Sequence, residues 1–102
     1  MKRTSVYIFM VSLMLAAFSA ELLAGGDAMA GQEKSKTCVA CHGANGEGVA
    51  KNTKIAGTSV GKFTEAMAAY KSGTRKHAMM EMFAKKLSDA DVADLAAYYT
   101  GK

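Results

Sequence analysis

Between Val60 and Lys71 the apolar residues return at Val60, Phe63, Met67 and Tyr70. Steps of three, four and three lay one apolar stripe along a helix. Thr58 or Ser59 can cap its start, and Gly73 ends it. The same period recurs near the C-terminus, where Val92, Leu95, Ala96 and Tyr99 form the inward stripe of a last helix. Ser88 with Asp91 three residues on makes a capping box, Leu87 and Val92 can staple the entry, and Gly101 stops the run. From Asp27 to about Val39 most residues are good helix formers, so one short helix is expected there. Gly31 inside it costs roughly 1 kcal/mol relative to Ala, and such a glycine permits close contact between helices.

The intervening stretches lack a period. Gly43 to Gly48 is a turn-rich loop, and residues 49–59 read as irregular. Thr74-Arg75-Lys76-His77 leads into Ala78-Met79-Met80-Glu81-Met82-Phe83, a methionine cluster between two helices. No stretch alternates as a strand does. The pattern predicts an all-α domain of three to four short helices.

Residues 1–30 are of another kind. Lys2 and Arg3 precede an uncharged run from Val6 to Ala20, which Glu21 interrupts. That run is short for a membrane span of about 20 residues and fits the apolar core of a secretory signal peptide. The expected division is a signal peptide over 1–24, with cleavage possible as late as 30, and one domain over 25–102. The earlier cut keeps Asp27 as an N-cap. The competing reading is an uncleaved anchor. Export places the chain in the periplasm, which permits cysteine oxidation.

Charge and composition narrow the partners. Thirteen Lys and Arg against nine Asp and Glu give +4. Removing the leader takes away Lys2 and Arg3 but also Glu21 and Asp27 or Glu21 alone, so the domain stays basic. No basic run interleaved with aromatics is present, which argues against nucleic acid and for acidic protein surfaces. Lysines 34, 36, 51, 54, 76, 85 and 86 are candidates for docking. Half the residues are hydrophobic and 22% are charged, which excludes general disorder.

The chain has two cysteines, and His42 follows the second at once. Cys38-Val39-Ala40-Cys41-His42 is the attachment pattern of a c-type haem. Two thiols three residues apart on a helical turn can each add to a vinyl group on one edge of a porphyrin. The next residue then reaches the iron from the proximal side, and its second ring nitrogen should donate to a carbonyl. A plain disulfide or thioredoxin-like pair would want a βαβ context. A closed zinc site would need a fourth ligand, for which His77 is the only other histidine. A single covalent haem would also enlarge a core that so short a chain fills poorly.

The distal ligand is open on spacing alone. Met79, Met80 and Met82 all lie in the cluster, and Met67 belongs to the core stripe. A helical turn puts Met79, Met82 and Phe83 on one face, with two methionines explained by core packing, and turns Met80 elsewhere. His77 is the rival ligand, giving a lower potential.

The residues from Cys38 to Gly43, Asn45-Gly46-Glu47-Gly48, Lys54-Ile55-Ala56-Gly57, Tyr70 to Arg75, Met79-Met80, Leu87-Ser88-Asp89 and Leu95-Ala96-Ala97-Tyr98-Tyr99 together resemble the small class I c-type cytochromes. The likeness is to the cytochrome c-553 type and to one half of cytochrome c4. It implies an all-α fold around one covalent haem c, held by Cys38 and Cys41, with His42 and Met80 as the axial ligands. It implies a monomeric periplasmic one-electron carrier rather than an enzyme, serving redox protein partners. It also matches Gly31 to the glycine at which the first and last helices cross, against Tyr98. Similar sequences often carry a proline near Thr53, whose carbonyl receives the proximal histidine. This chain has no proline. Other readings of the same motif are a haem c subunit of a larger periplasmic oxidoreductase and an open-site haem enzyme or gas sensor.

Overall fold

The computed structural model describes residues 25–102. The proposed leader, residues 1–24, lies outside them. Asp27 opens the first helix, α1 (Ala28–Lys34), its carboxylate accepting from the N–H groups of Met29 at 2.9 Å and Ala30 at 3.3 Å. A 3₁₀ turn, Ser35–Thr37, and a single helical turn, α2 (Val39–His42), follow. The sequence predicted one helix to Val39. Two hydroxyls break it, because Ser35 Oγ donates to the Gln32 carbonyl at 2.7 Å and Thr37 Oγ1 to the Lys34 carbonyl at 3.3 Å. Side chains that bond the local backbone compete with regular helix.

Helix α3 (Val60–Ser72) starts under Ser59, whose hydroxyl accepts from Lys62 N, and stops at Gly73. Helix α4 (Ala78–Lys86) occupies the segment expected between helices. Its cap is His77. The imidazole Nδ1 accepts from Met80 N at 3.2 Å, and Glu81 Oε2 accepts from His77 N at 3.3 Å. Helix α5 (Asp89–Thr100) begins with the predicted box, Ser88 Oγ accepting from Asp91 N and Asp91 Oδ2 from Ser88 N. Among the described residues the architecture is five α-helices and no strand.

Helix α5 is the centre of the packing. It supplies Val92, Leu95, Ala96, Tyr98 and Tyr99 to the core, while α3 adds Phe63 and Met67 and α4 adds Ala84. Helix α1 lies across α5. A Cβ on Gly31 would stand 2.0 Å from the Asp94 carbonyl oxygen and 2.8 Å from Tyr98 Cβ. The closest atom is backbone, so a substituent must push the helices apart. Gly31→Ala is expected to cost about 3 kcal/mol, as overpacking does at a rigid contact. A lowered denaturation midpoint of the loaded protein would show it.

The crossing also holds an ion-pair cluster. Lys34 Nζ bonds Asp91 Oδ1 at 2.8 Å and also Asp94 Oδ2, while Asp94 Oδ1 accepts from Asp27 N at 2.8 Å. The Lys34 ammonium, helped by the Ser88 N–H and hydroxyl, pulls the Asp91 carboxyl down to about 2. Lys34, and then Asp27 N–H, lower Asp94 as well. A carboxyl depressed in the native state stabilises it above the ordinary carboxylate range and loses that effect as pH falls through the depressed value. The thermal midpoint should therefore fall as pH drops from 3.8 to about 2. Lys34→Met should flatten that acid limb, measured by melting the loaded protein across this range.

Candidate haem site

Cys38 caps α2 and is half-buried against the core, whereas Cys41 is exposed. The turn between them is closed by Cys41 N and His42 N, both donating to the Cys38 carbonyl. Both thiols are free. Among the described residues no three His, Cys, Asp or Glu side chains converge as a metal-holding cluster, so the zinc alternative finds no fourth ligand.

His42 is the best-oriented of the candidate ligands. Its Nδ1 lies 2.7 Å from the Thr53 carbonyl oxygen. A carbonyl can only accept, so Nδ1 carries the proton and Nε2 keeps its lone pair. The carbonyl named in the sequence thus reaches the imidazole without a proline. What holds it is a loop tied at several points. Gly48 N donates to the His42 carbonyl at 2.8 Å, Ile55 N and Ala56 N both donate to the Gly46 carbonyl, and Gly57 N donates to the Tyr99 carbonyl at 2.9 Å. Gly46 has φ +75°, and a Cβ there would lie 2.8 Å from the Tyr99 ring. Only glycine lets this loop seat on the last helix.

The methionine cluster divides differently from the sequence expectation. Met79 is 51% exposed and Met82 43%, so they are not core residues. Met80 is the half-buried one and packs against the core. On α4, Met80 shares a face with Phe83 and with buried Ala84 three and four residues on, and Ala84 marks the face that meets the core. His77, the rival ligand, spends Nδ1 on capping that helix.

The lysines also separate. Lys34 is committed to α5 and Lys36 pairs with Glu33 at 2.7 Å. Lys51, Lys54, Lys76, Lys85 and Lys86 are exposed, and none makes an ion pair among the described residues.

Tyr99 is a feature that its place in the apolar stripe did not reveal. It is 1% exposed, and its hydroxyl is buried with no hydrogen-bond partner among the described residues. Burial pushes the phenol above its ordinary range, with Cys38 as a neighbour. An orphaned hydroxyl beside Cys38, two free thiols at the attachment spacing and an imidazole with Nε2 available fit a covalently attached haem.

Comparison with known proteins agrees. The family model for cytochrome c matches residues 28–99. The chain belongs to the cytochrome c family. It is 44% identical over 81 residues to cytochrome c-554(548) of Halomonas halodenitrificans, covering 76% of this chain and 98% of that protein. It is 42% identical over 80 residues to cytochrome c4 of Pseudomonas aeruginosa, covering 78% of this chain but 40% of the relative. A solved cytochrome c4 of Acidithiobacillus ferrooxidans superposes with a TM-score of 0.72 at 25% identity, over 76% of this chain and 51% of that one. The chain therefore spans about half or less of these cytochrome c4 relatives and nearly all of the cytochrome c-554(548). This cytochrome is a class I c-type protein that binds haem c covalently and carries electrons. Cys38 and Cys41 supply its attachment motif.

Proposed function

We propose that this cytochrome is a periplasmic one-electron carrier, with thioethers at Cys38 and Cys41 and with His42 Nε2 and Met80 Sδ as axial ligands. The observation that carries the reading is the 2.7 Å bond from His42 Nδ1 to the Thr53 carbonyl. It fixes the tautomer that leaves the Nε2 lone pair free to bind iron. Met80, the cluster methionine turned inward, is the distal candidate. When bound, haem supplies an iron that alternates between ferric and ferrous states. The polypeptide holds both axial positions and leaves none for substrate, which separates a carrier from an open-site enzyme.

The leader and the basic surface support the setting. Cleavage after Ala24 keeps Asp27, which caps α1 and bonds α5; cleavage before Gly31 would remove the cap and the first residues of the helix. No helix of the described residues is long and apolar enough to cross a membrane. The five unpaired lysines suit redox partners with acidic docking surfaces. The test is an optical spectrum of the exported protein in both oxidation states. A low-spin ferric form with a thioether-to-iron charge-transfer band is expected. A high-spin, water-ligated ferric form would overturn the ligand assignment.

A further inference from the structure

The Tyr99 ring is held from several sides. It stacks on Phe63 with ring centroids 5.9 Å apart and meets the edge of Tyr98 at 5.0 Å. Gly46 closes over it, and its own carbonyl is tied to Gly57 N. The ring therefore cannot swing its hydroxyl out to water. A buried donor without a partner costs roughly 1–3 kcal/mol. Phenylalanine would fill the same space without that cost, so packing does not account for the oxygen.

The neighbours say which way the hydroxyl works. Cys38 packs against the core that holds Tyr99, and Cys38 and Ser35 are neighbours of the hydroxyl, which completes a hydrogen bond to neither in the polypeptide alone. Ser35 is 3% exposed, and its own proton goes to the Gln32 carbonyl. Ser35 therefore has no proton to offer Tyr99. Cys38 changes character on attachment. Its S–H adds across a vinyl double bond, the hydrogen going to one carbon and the sulfur to the other. The product sulfur has no proton and can only accept.

We infer that the Tyr99 hydroxyl is a positioning and tuning group that donates a hydrogen bond to the Cys38 thioether sulfur. The inference rests on the covalent haem described above. A donor at that sulfur draws electron density from the attached edge of the porphyrin. It favours the reduced iron, because second-shell hydrogen bonds are one of the means by which a protein sets haem potential. It also locks the attachment edge against the last helix.

The experiment compares native, Tyr99→Phe and Ser35→Ala proteins, each purified with haem attached. Poising each against a redox mediator of fixed potential, Tyr99→Phe should lower the ratio of reduced to oxidised protein about threefold, the scale of part of one hydrogen bond. The thioether C–S stretch in its Raman spectrum should move with it, and its melting temperature should not rise. Ser35→Ala should keep the native ratio and the native C–S band. An unchanged ratio in Tyr99→Phe, or a more stable protein, overturns the inference while leaving the haem reading intact. A Ser35→Ala protein that reproduces the shift also overturns it, by making Ser35 the acceptor. A native protein that retains no haem defeats both readings.

Discussion

With Cys38 and Cys41 both replaced by alanine, the chain is expected to lose its cooperative thermal transition and most of its helical circular dichroism. The argument is the size and placement of the polypeptide core. Its eight buried apolar residues come from α3, α4 and α5, with five on α5 itself. Among the described residues, only Tyr99 and Leu95 are large side chains that are fully buried. Residues 36–58 contribute no apolar side chain to that buried set, and α2 is a single turn of four residues. A turn of that length does not persist without tertiary support. Domains of this size gain only about 3–5 kcal/mol from one small core and generally need a staple. A covalent porphyrin supplies the missing apolar area and ties the weakest third of the domain to the strongest. A double variant with a native-like helical spectrum and a sharp melt would contradict this account.

The second large effect is expected at Met80. Met80→Ala in the loaded protein should abolish the thioether charge-transfer band, convert ferric iron from low to high spin and lower the reduction potential. Loss of a Met ligand removes the donor that holds the potential of a His/Met haem high. Met79→Ala and Met82→Ala serve as the comparison. Both side chains are about half exposed, and neither shares the face of α4 that meets the core. Their spectra should stay native, with stability changes within about 0.5 kcal/mol, the usual range for surface positions. A native spectrum in Met80→Ala, with a high-spin one in either neighbour, would move the ligand to that neighbour. Absorption spectra of the three variants in the oxidised state decide it.

The parts of the fold that were legible in the sequence are those with conventional punctuation. Ser59 and Gly73 bracket α3, and the Ser88–Asp91 box opens α5, because these residue types perform the capping directly. The closeness of α1 and α5 was signalled by Gly31, whose missing Cβ is a requirement of the crossing. Helix α4 was illegible for a physical reason. Its cap is an imidazole, which is not among the usual capping groups, and its methionines show no clear period. The sequence separates Met80 from Met79 and Met82, as α4 does, but it does not say which of the two faces meets the core. The break after Lys34 was hidden because Ser35 and Thr37 are compatible with helix until their hydroxyls turn back on the chain. In the site, the attachment motif was legible from spacing. The hydroxyl of Tyr99 was not, since a stripe position records only that a side chain is apolar enough to bury. The committed state of Lys34 depended on a contact 57 and 60 residues away, beyond any local pattern.

The loop that aims His42 rests on Tyr99 at two points, with Gly46 seated against its ring and Gly57 N bonded to its carbonyl. The aim of this imidazole is therefore set by the far end of the fold, through the loop and not through its own short helix. A disturbance of α5 at Tyr99 would reach His42 through that loop, although it falls nowhere near the ligand in sequence.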